Sequence, residues 1–265
     1  MEKLTTILQG RQTIKTDEMN RIKILAVFLT ATAMFACNNQ PEKKATEKVV
    51  VEEKVKPLVQ EVLTQEQRDA LSPDDVINSF KEGNKRFVNN DLTARDHSEQ
   101  VRKSATGQFP KAVVLSCIDS RVPVEDVFDR GIGDIFVGRV AGNFVNVDLL
   151  GSMEFGCKVA GSKLLLVLGH EHCGAVKAAI DDVKLGNITA MLTKIRPAID
   201  KVIYEGDRTS KNEEFVAKVC KSNVLNTIEQ IRAKSPILKE MEDKGQIKIV
   251  GGVYDMESGI VTFIE

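Results

Sequence analysis

Short, continuous apolar runs alternate along this chain with longer segments whose apolar residues recur every three or four positions. The clearest runs are Ala112–Ser116, 135–137 and 164–168. Runs of this length predict strands that are buried on both faces, as in parallel sheets, and the periodic segments between them predict helices. The expected fold class is therefore α/β, with a mostly parallel central sheet flanked by helices.

Capping and turn residues place several further elements. Residues 72–75 combine a serine N-cap, a proline at the first helical position and two acids, so a helix should begin there. Further helices are expected over 149–159, 175–183, 188–203 and 213–231. Residues 247–250 and 260–264 alternate like strands, and the turn residues 256–259 between them predict a terminal hairpin.

Residues 1–36 have the pattern of an export signal rather than of a folded segment. Arg21 and Lys23 precede an apolar stretch that ends in small residues before Cys37, as in a secretory signal peptide. The stretch is shorter than the ~20 residues that span a bilayer. Since a signal peptide begins at its basic end, we expect Met19 to be the true start.

The four residues 34–37 are similar to a bacterial lipobox, in which the cysteine becomes lipidated. The alternative is an ordinary signal peptide in which Cys37 happens to lie near the cleavage site. We predict lipidation of Cys37, followed over residues 37–65 by a charged, flexible tether, for which a short amphipathic helix is the alternative. Residues 66–265 would form the folded domain. The protein is then expected to be exported, as a membrane-anchored lipoprotein of the cell envelope or as a periplasmic protein.

Composition supports one sizeable core and gives no sign of a nucleic-acid partner. Hydrophobic residues make up 42% of the chain. The net charge is −1 and the sequence pI is about 6.4, so there is no basic excess. Tryptophan is absent and only two tyrosines occur, which argues against aromatic platforms that stack on bases or sugars.

Sulfur and nitrogen ligands follow two of the predicted strands directly. Cys117 follows the first strand, and His170 and Cys173 follow the third. Because open α/β sheets bind ligands beyond the carboxyl ends of their strands, these side chains should meet there. Two sulfurs and one nitrogen suit zinc, with a fourth position left for water or a carboxylate. His172 competes for the imidazole role, but the spacing His170-x-x-Cys173 favours His170.

The remaining cysteines and histidine are expected to play no part in the chemistry. Cys157 and Cys220 lie within helical patterns and should be small buried hydrophobic residues, so a framework of two disulfides is not expected. His97 lies in a polar stretch and should be an ordinary surface residue.

The pattern Cys117-x-Asp119-Ser120-Arg121 followed by His170-x-x-Cys173-Gly174 resembles the signature of the β-class carbonic anhydrases. Segments similar to other landmarks of that family occur in the family's order at 83–87, 108–110, 129–134, 139–143 and 253–255. The resemblance extends over residues 70–265. It implies the fold of that family and the reversible hydration of carbon dioxide to bicarbonate and a proton.

The resemblance also implies roles for the two clusters. One zinc ion per subunit would be held by Cys117, His170 and Cys173, and hydroxide formed from its bound water would attack carbon dioxide. Asp119 and Arg121 would form a pair that keeps the carboxylate off the metal in the active state. When that pair breaks, Asp119 would become the fourth ligand and close the site.

Substrate contacts and assembly are implied in the same way. The side-chain amide of Gln108 would donate to a substrate oxygen, and the backbone N–H of Gly174 would help to orient the substrate. Homodimers and homotetramers are usual in the family. Two positions depart from some members: Val114 stands where bicarbonate-regulated members carry tryptophan, and Phe155 stands where plant-type members have tyrosine.

Three alternatives stay open from the sequence. The same fold could hydrolyse a carbon dioxide analogue such as carbon disulfide, since selectivity depends on the channel and loops. The chain could be a zinc-binding lipoprotein without turnover, although Asp119, Arg121 and Gln108 argue against that. A thiol redox protein that uses Cys117 and Cys173 is disfavoured because the two cysteines do not form a CxxC motif.

Overall fold

A computed structural model describes residues 57–264 of the chain. The predicted signal peptide, the start at Met19 and lipidation at Cys37 lie outside the described residues and stay predictions. Within residues 57–264, none of the helices is both long enough and apolar enough to cross a membrane.

A five-stranded sheet forms the centre of the described part of the chain. Its strands are β1 Ala112–Ser116, β2 Ile135–Arg139, β3 Leu164–His170, β4 Lys248–Tyr254 and β5 Val261–Ile264. They lie in the order β2-β1-β3-β4-β5; β4 and β5 are antiparallel, and all other neighbours are parallel. The predicted α/β class, the mostly parallel sheet and the terminal hairpin are confirmed.

The two central strands bring their carboxyl ends to the same edge of the sheet. Every residue of β1 and β3 is buried. In the β1–β3 register, Ala112 pairs with Leu164 and Ser116 pairs with Leu168. Cys117 therefore follows β1 at the edge where His170 ends β3, as the positions of the apolar runs predicted.

Helices cover both faces of the sheet. They are α1 Gln65–Asp69, α2 Pro73–Val88, α3 His97–Ser104, α4 Val124–Val127, α5 Val147–Glu154, α6 Gly174–Ile180, α7 Gly186–Leu192, α8 Arg196–Asp200, α9 Glu213–Lys234 and α10 Pro236–Asp243; a π-helical turn, Phe155–Val159, follows α5. Side chains of β3 alternate between two apolar cores. Leu164, Leu166 and Leu168 pack with Phe80 and Phe128 on one face, whereas Leu165 and Val167 pack on the other against α9 and α10. Strand β3 thus contributes side chains to the apolar cores on both faces of the sheet.

The expected helix over 188–203 is wrong as a single element. The structure has two short helices there, α7 and α8, separated at Thr193–Ile195. Pro197 lies in the first turn of α8. Since proline has no N–H to donate to the carbonyl four residues earlier, a helix continuing through this position would lose that hydrogen bond. The chain breaks the helix and restarts it instead.

The amino end of the folded part lies earlier than residue 66. Val59 N–H donates to the carbonyl of Ala94 at 2.8 Å, and Asp96 N–H donates to the carbonyl of Val59 at 3.0 Å. The Gln100 side chain donates to the carbonyl of Glu61 at 3.1 Å. The last residues of the predicted tether are therefore hydrogen-bonded to the segment that leads into α3. The sequence pattern did not predict helix α3. His97 begins α3 and is exposed, as expected.

Candidate metal centre

Three ligand-type side chains converge at the carboxyl edge of the sheet. The sulfur atoms of Cys117 and Cys173 and a ring nitrogen of His170 all lie within 4.8 Å of one another, and all three residues are buried. The two sulfur atoms are 4.0 Å apart. Soft and borderline ligands at these separations, supplied by two neighbouring strand ends, can hold one zinc ion.

The ring of His170 is oriented toward the two sulfurs. Its Nδ1 lies 2.8 Å from the carbonyl oxygen of Glu171. An Nδ1–H that donates to this carbonyl leaves a lone pair on Nε2, which is the arrangement that metal-binding histidines adopt. Nε2 is buried and has no hydrogen-bond partner among the described residues. A buried nitrogen lone pair without a partner lowers the stability of the fold, and a metal ion bound by Nε2 would supply the missing partner.

Glycine lets the strand that carries His170 approach the helix behind it. A Cβ atom at Gly169 would lie 2.5 Å from Cγ2 of Val224, a residue of α9. After the strand, His172 adopts a left-handed backbone with φ of 50°, which turns the chain so that Cys173 leads into α6. His172 lies outside the cluster of ligand atoms, so the geometry favours His170 for the imidazole position.

The two cysteine thiols of the cluster lie in contact, and this contact shifts their pKa values in opposite directions. The hydrogen bond with Cys173 lowers the pKa of the Cys117 thiol to about 4. The same contact, together with burial, raises the pKa of Cys173. A thiolate, the form that binds metal, is therefore already favoured at Cys117. Cys157 and Cys220 differ: both are buried, as predicted, and burial raises the pKa of each to about 12.

The carboxylate of Asp119 is held beside the cluster by Arg121. The Nε and Nη2 atoms of Arg121 donate to Oδ1 and Oδ2 of Asp119 at 3.0 and 2.9 Å, and the Arg121 backbone N–H also donates to Oδ1 at 3.0 Å. These hydrogen bonds lower the pKa of the Asp119 carboxyl to about 2. Oδ2 lies 3.8 Å from Nε2 of His170. The carboxylate is thus ionised, next to the ligand atoms, and engaged by a guanidinium.

An arginine that the sequence analysis gave no role supports the loop after β1. Nη1 of Arg139, the last residue of β2, donates to the carbonyl of Cys117 at 2.9 Å, and Nη2 donates to the carbonyl of Val122 at 2.6 Å. Arg139 therefore spans the loop that carries both Cys117 and Asp119. Its position at the carboxyl end of a strand, at the same edge as the cysteines, is the signal that could have pointed to it.

Gly174 lies next to the cluster, and Gln108 does not. Gly174 begins α6, is exposed, and has no atom within 4 Å of the position that a Cβ would take, so its surroundings are open. Gln108 is exposed in the connection between α3 and β1. It precedes the amino end of β1, whereas the cluster lies at the carboxyl end. Since five residues of strand cover ~13 Å, the chain does not bring its own Gln108 to its own cluster.

Comparisons with known proteins agree on one family. The family model described as carbonic anhydrase matches residues 112–261. Carbonic anhydrase 2 of Mycobacterium tuberculosis is 34% identical over 187 residues, which cover 68% of this chain and 87% of the relative.

Two solved structures have a similar fold. The β-carbonic anhydrase of Coccomyxa superposes with a TM-score of 0.56 at 25% identity, covering 71% of this chain and 83% of that one. A tetrameric β-carbonic anhydrase of the ascomycete Sordaria macrospora superposes with a TM-score of 0.55 at 22% identity, covering 71% of this chain and 93% of that one.

Proposed function

Because the chain belongs to the β-class carbonic anhydrases, we propose that it hydrates carbon dioxide reversibly at a zinc ion held by Cys117, His170 and Cys173. The observation that carries this proposal is the position of the Asp119–Arg121 pair beside the three ligand atoms. A metal site that serves only structure would need a fourth ligand rather than a carboxylate held back by an arginine.

The donor set fits zinc with one position to spare. Two sulfurs and one imidazole nitrogen make three protein ligands, and catalytic zinc sites keep the fourth position for water or substrate. Zinc bound there would supply the Lewis acidity that makes water a nucleophile near neutral pH.

Asp119 is placed to orient that water. A carboxylate offers about four lone-pair sites, and Arg121 occupies only part of them, so Asp119 can still accept a hydrogen bond from a water beside His170. Arg121 blocks the alternative, in which Asp119 turns inward and becomes a fourth ligand. The side chain of Arg121 is 57% exposed, so the pair can open without unpacking the core.

We place the substrate in the open space beside Gly174. The Gly174 N–H lies in the first turn of α6, where backbone N–H groups have no partner within the helix. A carbon dioxide or bicarbonate oxygen could accept from it. The absence of a side chain at this position keeps the approach to the cluster free.

Gln108 can contribute only from a second copy, so we propose a homo-oligomer. β2 is an edge strand, with no strand paired on its outer side among the described residues. A groove of about 640 Å³ lies along it, and Val147 and Phe155, which line this groove, are exposed. An unpaired strand edge beside exposed apolar side chains favours pairing with another chain. The assembly would be a homodimer or a homotetramer.

Mixing two inactive variants should restore activity if Gln108 acts across subunits. Gln108→Ala would lose its substrate contact, and Cys173→Ser would lose its metal. In a mixed dimer, the subunit with intact ligands would receive Gln108 of the partner subunit, so one of two sites would work. Statistical mixing after dissociation and reassociation should recover about a quarter of the parental rate. If the hydration rate of the mixture equals the sum of the rates of the two separate variants, Gln108 does not act across subunits.

We also propose that the protein is exported and anchored to a membrane through lipidated Cys37. The support is the basic and apolar pattern before Cys37. Val59 is fixed on the domain, so the 21 residues between them would form the tether, and they could reach ~70 Å when extended. Cys37→Ser should move the protein from the membrane fraction to the soluble fraction. An unchanged distribution between the fractions would argue against the lipid anchor.

The proposed reaction is tested by stopped-flow measurement of carbon dioxide hydration on protein of known zinc content. Carbon disulfide, the alternative substrate, is run in parallel, and hydrogen sulfide release is measured. We expect hydration of carbon dioxide and no release above background. Hydrogen sulfide release without carbon dioxide hydration would overturn the proposal and show that the protein hydrolyses carbon disulfide instead.

A further inference from the structure

A tight turn after β2 touches the candidate metal centre. It spans residues 140–143 and is closed by a hydrogen bond from the Asn143 N–H to the carbonyl of Val140 at 3.0 Å. Gly142, at the third position, has φ of 83°, the value that a type II turn requires there. The Gly142 N–H donates to the sulfur of Cys117 at 3.4 Å.

The direction of one peptide group decides whether Cys117 receives this hydrogen bond. Type I and type II turns differ by a flip of the peptide between their second and third residues. Here that peptide joins Ala141 to Gly142 and carries the N–H that faces the sulfur. A flip would turn the N–H away and leave a carbonyl in its place.

Helix α9 holds the two peptides that follow. Asn223 Nδ2 donates to the carbonyl of Gly142 at 2.7 Å, and Thr227 Oγ1 donates to the carbonyl of Asn143 at 3.2 Å. The two side chains are four residues apart and so lie on one face of α9. Each residue is 1% exposed. Burying an amide N–H and a hydroxyl on a helix face is costly unless both are hydrogen-bonded, and their acceptors here are consecutive carbonyls of this turn.

We propose that Asn223 and Thr227 are positioning residues for the metal centre, which keep the Gly142 N–H on the sulfur of Cys117. The inference rests on the proposed function, because it takes Cys117 as a zinc ligand. A hydrogen bond to a ligand atom fixes its orientation and draws electron density from it. Without Asn223 the turn is free to flip, and the sulfur loses its donor.

The test compares Asn223→Leu with Asn226→Leu. Leucine has the same number and branching of side-chain heavy atoms as asparagine but removes the amide. Asn226 lies on the same helix and is also buried, but it accepts a hydrogen bond from Lys201 at 2.9 Å rather than binding the turn. Zinc affinity is measured by competition with a chelator. Cobalt(II) is then substituted, and the thiolate-to-cobalt charge-transfer band reports on the sulfur directly.

A second pair of variants separates the hydrogen bond from the packing. Thr227→Val keeps the shape of the side chain and removes the hydroxyl, whereas Thr227→Ser keeps the hydroxyl. We expect Asn223→Leu to weaken zinc binding 10- to 100-fold, roughly the range for such supporting contacts, and to shift the charge-transfer band. Thr227→Val should shift the band in the same direction, and Asn226→Leu and Thr227→Ser should match the parent.

Two results would overturn the inference. One is a band and a zinc affinity in Asn223→Leu equal to those of the parent; the other is an equal change in Asn226→Leu, which would indicate a general effect of disturbing α9. Should Asn223→Leu fail to fold, equal bands in Thr227→Val and Thr227→Ser would overturn it. A parental protein that binds no metal through Cys117 would refute the proposed function. If instead the parental protein hydrates carbon dioxide and the variants have its zinc affinity and its charge-transfer band, only this inference is refuted.

Discussion

Replacing Cys173 with serine should abolish stoichiometric zinc binding and lower carbon dioxide hydration by at least about a thousandfold. The variant keeps the shape of the side chain but offers a hydroxyl in place of a sulfur that lies 4.0 Å from the sulfur of Cys117. Two remaining protein ligands do not make a zinc site of the tetrahedral kind. Zinc per chain is measured by elemental analysis, and hydration by stopped flow.

Cys157→Ser is the matched control for this change. Cys157 is buried like Cys173, but it packs in the apolar core and lies outside the ligand cluster. The Cys157→Ser variant should keep its zinc and its rate of carbon dioxide hydration, even if burial of the serine hydroxyl lowers its stability. Parental zinc affinity in Cys173→Ser would show that the ligand assignment is wrong.

Replacing Asp129 with asparagine should lower the free energy of unfolding by about 3 kcal/mol at neutral pH. The carboxylate is buried and accepts from Arg86 at 2.5 Å, from Arg95 at 2.6 Å and from the Thr93 hydroxyl at 2.7 Å. Its loss leaves two guanidinium groups without their counter-ion. Asparagine tolerates the left-handed backbone of this position, φ of 51°, so the change isolates the charge.

The effect should depend on pH in a defined direction. Burial raises the pKa of Asp129, but the hydrogen bonds from Thr93, Arg86 and Arg95 outweigh it and lower the pKa from 3.8 to about 2. A carboxyl with a depressed pKa stabilises the fold fully above its unfolded value and loses that contribution as pH falls through the folded value. The difference between parent and variant should therefore be constant above about pH 5 and shrink toward about pH 2.

Denaturant unfolding at several pH values measures this difference. Asp182→Asn is the control, because Asp182 pairs with Lys184 at the surface with 56% of its side chain exposed, and such pairs contribute less than about 1 kcal/mol. If Asp129→Asn lowers the free energy of unfolding no more than this control, or if its effect does not change as the solution becomes acidic, Asp129 is not the stabilising charge proposed here.

The strand pattern and the ligand positions could be predicted because both follow local rules. Short apolar runs mark β1 and β3, and the carboxyl ends of parallel strands lie at one edge of the sheet, so Cys117 and His170 had to meet. The break between α7 and α8 was missed because the apolar period continues across it, although Pro197 gave a local signal against a single helix.

Other parts of the site depend on contacts that no local pattern records. Arg139 reaches the carbonyl of Cys117 across 22 residues of sequence, and Asn223 reaches Gly142 across 81. Each looks like an ordinary polar residue until packing brings its partner within reach. For Gln108, the family resemblance implies a role, but only the three-dimensional structure shows that Gln108 precedes the end of β1 opposite to the cluster of its own chain.

The proposed activity requires one zinc ion at Cys117, His170 and Cys173, which would make this chain a carbon dioxide hydratase. The most direct test removes the metal with a chelator under reducing conditions and titrates zinc back while the hydration rate is followed. We predict a rate that rises in proportion to added zinc and levels off at one zinc per chain. If the fully metal-loaded protein hydrates carbon dioxide no faster than the metal-free protein, zinc at this site does not confer the proposed activity.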